Sequence, residues 1–445
     1  MKSISSRYIS MLHSMMKNDI PFRVMEKARE CFIDYLSVTI AGAQVYKDRN
    51  LAFIKNVNIE GTNHIIGLHE TVDVRTAIMI NAFNAHCLEL DDSHRIAMTH
   101  LGAPIFSVLL GVSEVYSISI KDLLKAAVIG YEAAVRLANA IQPSHKIKGF
   151  HVSGTCCTIG CAMAVCALFD YTEEQMNSVL SAACTSAAGL LGISYGKSEL
   201  KPYNIACAAT NGVNAALYGS FYIGSDDILG NPQGFFKVMS DEYNTDRLFD
   251  EGYAIESIYQ KLYAACRHCH APMEAMLHLK SSYKFVDEDI NHIVVKTYNL
   301  AIKGHDHTEI SGISSAKQSI PYGVAVACIN QDCGIDAFSD LKVNDKRILA
   351  LSRRVYIEED MELTAAVPDK RAATVIVHLN DGKEYSERVD YAKGEPENPI
   401  SKEELEHKFF SLIETAGISI DNGNKIKTLV NDGEEELVED LFQWI

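Results

Sequence analysis

Residues 81–100, NAFNAHCLELDDSHRIAMTH, crowd three carboxylates and three histidines into one short stretch behind a helical, mostly apolar pattern. His86, Glu89, Asp91, Asp92, His94 and His100 can all give or take a proton, and the imidazoles do so near neutral pH. Ionisable groups beside a wall of small apolar residues point to a site, because an unpaired buried charge is costly. The competing reading is a helix end frayed into a solvated acidic loop, so the remaining chain has to decide.

A chain of 445 residues exceeds one small core and implies two domains. Its 47% hydrophobic content and single Trp fit a globular protein. A net charge of −17 argues against nucleic-acid or anionic-membrane partners. It leaves room for a small anionic substrate, since a few cations gathered in a cleft outweigh a distant, salt-screened surface field. Residues 1–24 contain no continuous apolar run of the export-signal kind, and no stretch is long and apolar enough to cross a membrane. Twelve cysteines in that setting read as reduced thiols, and the expected location is cytoplasmic.

The elements that must position the chemistry are mostly helical up to about residue 260. Leu124, Val128, Tyr131, Val135 and Ala138 form one stripe, opened by Ser119 with Asp122 in capping-box spacing; Thr172 with Gln175 repeats the signal. GTCCTIGCAMAVCALF, 154–169, is dense in small residues and predicts a central helix buried on all sides. The period changes near residue 290, where HIVVKTYNLAI, 292–302, reads as strand. Residues 371–389 predict a hairpin around Asn380, Asp381 and Gly382. Further helical pattern lies at 310–330, and Ser401 with Glu404 opens a last helical segment running to Ile445. The expected fold is mostly α, with an α+β insert and a tail that rejoins the helical body.

Several motifs tempt. CRHCH, 266–270, spells the haem-attachment signature, but that chemistry normally follows export. As a zinc site, Cys266, His268, Cys269 and His270 stand too close in sequence for all four to reach one tetrahedral ion, so no metal is expected. Gly196-Lys197-Ser198 falls one residue short of a phosphate loop, Asp91-Asp92 lacks the third acid of a magnesium motif, and no dinucleotide fingerprint occurs. The expectation is an enzyme without a cofactor.

Five further segments complete a pattern: GYEAAVRLANAI at 130–141, GFHVSGTCCTIGCAMA at 149–164, ELKPYNIACAATNGVNAAL at 199–217, GNPQGFFKVM at 230–239 and KLYAACRHCHAPMEA at 261–275. With the 81–100 stretch, and in this order, they resemble the MmgE/PrpD superfamily, which includes 2-methylcitrate dehydratases, cis-aconitate decarboxylases and iminodisuccinate epimerases. The resemblance implies an all-helical domain built from residues 1–264 and 397–445, a smaller α+β lid domain over 265–396, and a homodimer with no metal. It also carries over site residues: Glu89, Asp91, Asp92 and Ser93 from the acidic motif, then His100, and His151 from Gly-Phe-His. Lys201 comes from Lys-Pro, Lys261 and His270 from the Lys-x-Tyr segment, and Tyr322 from a later match.

Departures from the decarboxylase pattern put a dehydratase or an epimerase ahead. Glu89 stands where decarboxylases have Asp, Leu101 replaces a Pro, the 91–100 segment is one residue longer, and Cys266 replaces a His. All the family reactions develop negative charge beside a carboxylate, which calls for fixed cations and a base at carbon. Lys201, Lys261 and Arg267 are the expected cations, and His100 and His151 exchange protons. Tyr322 is an alternative acid, and Asp91 or Asp92 orients a histidine. Glu89, Ser93, Cys266 and His270 are expected to touch substrate, His86 to face the helical core, and His268 and Cys269 to be bystanders. The expected function is 2-methylcitrate-type dehydration of a small di- or tricarboxylate. The alternatives are an imino- or aminodicarboxylate epimerase, a decarboxylase, or a non-catalytic carboxylate binder.

Overall fold

The computed structural model describes residues 2–194 and 196–445. Its larger part is a stack of helices whose middle member is Val152–Leu168, buried over nearly its whole length. Ile120–Ile141, Glu173–Ser186 and Lys201–Gly219 surround it. Close approach explains the small residues there. A methyl added at Gly160 would lie 2.8 Å from both Ala134 Cβ and Gly130 O, and one at Gly212 would lie 2.4 Å from Cys161 Cβ. The predicted caps form: Ser119 accepts from Asp122 N, and Thr172 and Ser401 each close a capping box.

The chain's end returns to this body. Lys402–Glu414 lies against Phe22–Val45, where Lys408 Nζ reaches Asp34 Oδ1 at 2.6 Å and Leu90 O at 3.0 Å. The expected single terminal helix is two, Lys402–Glu414 and Ile420–Asp432, followed by a 3₁₀ turn. Gly417 at φ +73° makes the break, a conformation that side chains with a Cβ adopt at a cost.

The smaller, α+β part has one mixed four-stranded sheet in the order Val355–Glu359, Ile290–Thr297, Ala373–Leu379, Glu384–Val389. The first pair is parallel and the others antiparallel. The predicted hairpin forms, with Gly382 at φ +84° in its turn. The strand expected over 292–302 stops at Thr297, and Asn299–Ile302 coils into a short helix. His270–Ser282 and Ile320–Asn330 pack together beside this sheet.

The two parts share a seam. Cys87, at the end of the helix Val74–Cys87, and Leu88 and Leu90 just past it belong to the apolar core of the α+β part. Ser93–His94 pairs antiparallel with Ile258–Tyr259, so the acidic stretch is stitched to the segment entering that part. Among the described residues no helix is long and apolar enough to cross a membrane.

Because Gly160 meets backbone and Cβ atoms of a neighbouring helix, Gly160→Ala is expected to cost about 1–3 kcal/mol of stability. Urea unfolding followed by circular dichroism measures it; an unchanged midpoint would contradict the close packing.

Candidate active site

Glu89 sets the geometry. It follows the helix Val74–Cys87 at φ +57°, a left-handed turn that reverses the chain and directs the carboxylate inward. Lys201, first residue of Lys201–Gly219, ion-pairs with Oε1. The fully buried Lys261 lies 3.5 Å from Oε2 and donates to Glu89 O at 2.9 Å. Gln318 Nε2, from the α+β part, donates to Oε1 at 3.3 Å. Burial alone would raise the Glu89 pKa, but Lys201, His86 and Lys261 together hold it well below the usual carboxylate range.

Two residues on, Asp91 Oδ2 sits 2.9 Å from His86 Nδ1 and 3.1 Å from His100 Nδ1, with the two imidazoles 4.4 Å apart. His100 N donates to Ser153 Oγ at 2.9 Å, tying the loop to the central helix. His151 is the N-cap of that helix; its N–H donates to Gly189 O, and its ring lies 6.5 Å from His86. Burial lowers the His100 pKa to about 4 against the opposing pull of Asp91. Burial, reinforced by Lys201, pushes His151 well down too. Both are neutral imidazoles at pH 7 and therefore proton acceptors.

A cavity of about 650 Å³ opens between the two parts. Of the residues expected at the site, Glu89, Ser93, His100, His151, Lys201, Cys266 and Arg267 line it. Asp91 and Lys261 stand directly behind, holding His100 and Glu89.

Three expected residues are elsewhere. Tyr322 lies in the core of the α+β part against Phe338, its hydroxyl donating to Ala337 O at 2.8 Å, so it cannot be the acid. Asp92 accepts from Gly102 N and from the Tyr131 hydroxyl; it caps the helix Gly102–Tyr116 and orients no histidine. His270 is fully buried, bonded to Ala265 O and to Arg267 Nη1, and supports Arg267 instead of touching the cavity. Arg267 lines the cavity with its charge already spent: it pairs with Glu395 at 2.8 Å and donates to the carbonyls of Ala392 and Lys393. Ser93 Oγ donates to Thr99 O at 2.7 Å.

Other lining residues were not anticipated. Lys146 and Arg371 carry charge into the cavity, and neither forms an ion pair among the described residues. His268 and His305 line the wall beside Cys266. Burial raises the Cys266 thiol pKa, but His305 and Lys201 outweigh it and bring it to about 6. His86, expected to face the core, is indeed fully buried, yet it touches Asp91 and so supports the cavity wall. Two groups of donors are close enough for a metal ion: His86, Glu89 and His100, and Cys266, His268 and His305. In the first, Lys201 and Lys261 already occupy the Glu89 carboxylate.

Residues 8–248 match the MmgE/PrpD N-terminal domain, and residues 263–431 match the MmgE/PrpD C-terminal domain. The chain belongs to the MmgE/PrpD family. Among its curated relatives is a cis-aconitate decarboxylase of Aspergillus terreus, 26% identical over 439 residues, spanning 92% of this chain and 89% of the relative. The cis-aconitate decarboxylase of Homo sapiens is 22% identical over 92% of this chain and 87% of its own length. That of Mus musculus is 20% identical over 92% and 86%. The family and its decarboxylase relatives support an enzyme of the lyase type, and identities this low do not fix the bond it cleaves.

The neutral His100 has a consequence for stability. In the unfolded chain an imidazole titrates near 6.5. Between that value and about 4 the unfolded state therefore binds the extra proton. The contribution is complete above pH 6.5 and is lost as pH falls toward 4; buried His94, lowered to about 3, acts in the same direction. Urea midpoints at pH 7 and pH 5 should show lower stability at pH 5, with a smaller difference in His100→Gln. A midpoint that rises on acidification would refute this assignment.

Proposed function

We propose that this MmgE/PrpD member is an acid–base lyase of the 2-methylcitrate dehydratase type, acting on a small di- or tricarboxylate through an enolate-like intermediate. The observation that carries the reading is a neutral, Asp91-backed His100 facing a cavity that also receives Lys146 and Arg371, two cations without carboxylate partners. A neutral imidazole removes the proton α to a carboxylate. The imidazolium so formed sits 3.1 Å from Asp91, which stabilises it. Lys146, Arg371 and Lys201 meet the substrate carboxylates and the growing enolate charge. A bound polyanion favours protonated His151, which then gives its proton to the departing hydroxyl, releasing water.

A second reading, decarboxylation, is favoured by the names of the relatives. There the bond broken is carbon to carboxylate; CO₂ leaves, the same cations stabilise the electron pair left on carbon, and a protonated histidine delivers the proton that takes the place of the lost carboxylate. Incubation with 2-methylcitrate, citrate and cis-aconitate separates the readings. Water loss from a hydroxytricarboxylate is expected. Release of CO₂ from cis-aconitate without dehydration would select the second reading, and deuterium entering an α-carbon with neither loss would select epimerisation. No turnover at high enzyme concentration would overturn the lyase proposal. His100→Ala and His151→Ala should each lower kcat by about 10²–10⁴, whereas losses under threefold at both would remove them from the mechanism.

We further propose a homodimer. Tyr218, Phe221, Tyr222 and Ile223 cluster at the end of Lys201–Gly219 with Ile223 94% exposed, an apolar patch that a second copy would cover. Light scattering is expected to give twice the chain mass and Ile223→Glu to give the monomer; a monomeric wild type would refute pairing. Twelve unpaired cysteines support a reducing, cytoplasmic setting.

A further inference from the structure

Cys266 differs from every other cysteine of the chain in what surrounds its sulfur. Burial pushes the remaining thiols up, and among them only Cys207 is not buried. Cys266 instead lines the cavity, with its Sγ 4.0 Å from His305 Nε2. His305 Nδ1 donates to Gln318 O at 2.7 Å, so the neutral ring keeps its proton there and turns the Nε2 lone pair to the sulfur. A thiol, a base within reach and a carbonyl that orients the base make the arrangement of an activated nucleophile. The backbone beneath is anchored as well: Cys266 N donates to Lys317 O, and Ile320 N donates to His305 O.

The wall around this pair is positive. Lys146 Nζ donates to His268 Nε2 at 3.5 Å, and the His268 and His305 rings are 5.0 Å apart, so an ammonium stands close to the pair. Arg371 is 9% exposed and pairs with no carboxylate among the described residues. Both cations lie within electrostatic reach of the Cys266 sulfur. On the same cavity, His151 Nδ1 is buried without a hydrogen-bond partner among the described residues. Asp306 and Glu309, which also line it, are exposed along with Lys303, and solvent screens them. A nucleophile among fixed cations, with buried polar groups left open, fits a reactant that itself carries negative charge.

We propose that Cys266, with His305 as its base, is a covalent modification site for carbon electrophiles that carry a carboxylate. Lys146 and Arg371 hold the carboxylate while the thiol proton passes to His305 Nε2. The sulfur then bonds to the electrophilic carbon, and the electron pair of the bond that breaks leaves with the departing group, which is iodide when the reagent is iodoacetate. The imidazolium returns its proton to solvent. The adduct occupies the cavity that His100 and Lys201 also line and bars it to substrate. No turnover is involved, so the site stands whichever bond the enzyme cleaves.

The test compares iodoacetate with iodoacetamide on the native full-length protein at pH 7, without substrate, read by intact mass and peptide mapping. One carboxymethyl group per chain is expected, on Cys266, formed at least about tenfold faster than the neutral reagent's adduct at the same residue. A free thiol in water shows no such preference for the anion. Arg371→Gln should remove most of the preference while iodoacetamide still labels Cys266. His305→Gln should slow both reagents about tenfold or more, each variant keeping an unchanged circular dichroism spectrum. Labelling that begins at Cys207, or iodoacetamide as fast as iodoacetate at Cys266, overturns the site. Misfolding of either variant leaves the labelled position and the reagent ratio in the native protein to decide.

Discussion

The carboxylate of Glu89 is the constraint on which the remaining architecture turns. Two ammonium groups, Lys201 and Lys261, and the amide of Gln318 meet it in the interior, from three separate segments of the chain. Removing three charges from water is tolerable only when they compensate one another. Glu89 must therefore sit where a helix start, the segment entering the α+β part and the 318 region come within reach of one another. Its left-handed backbone makes that possible by turning the chain at the end of Val74–Cys87, and the turn carries Asp91 and His100 into the same region.

The chemistry of the cavity follows from this pairing. Lys201 and Lys261 share one carboxylate, which leaves one positive charge between them, whereas Arg267 is fully paired with Glu395. Lys146 and Arg371 keep theirs for whatever enters. The imidazoles differ for another reason: burial among cations keeps His100 and His151 neutral, while Asp91 stands ready to stabilise the charge His100 acquires. A base is thus kept uncharged beside cations that await an anion.

The caps at Ser119, Thr172 and Ser401, the Gly382 turn and the small-residue helix each depend on a few neighbouring residues or on one helix face, and they formed as expected. Gly417 broke an expected helix because its positive φ has only a weak signature amid helical pattern. Lys146, Arg371, His268 and His305 are isolated polar residues without periodicity. Contiguity was the only hint: Lys146 stands just before Gly-Phe-His, and His268 lies inside CRHCH. The helix that carries Tyr322 turns that face into the α+β core.

The amino-acid sequence by itself determined a mostly helical chain with a small α+β insertion, the family resemblance, and the concentration of acids and imidazoles around residue 90. The fold class and the acidic stretch reside in composition, periodicity and short-range hydrogen bonding, which act over a few residues, and the resemblance resides in the order of the motifs along the chain. Tertiary structure alone decided which lysines are neutralised, that Asp92 caps a helix while Asp91 holds His100, and that Cys266 faces His305. Compensation of buried charge operates through space, between residues far apart in the chain, and leaves no local trace for a linear reading to find.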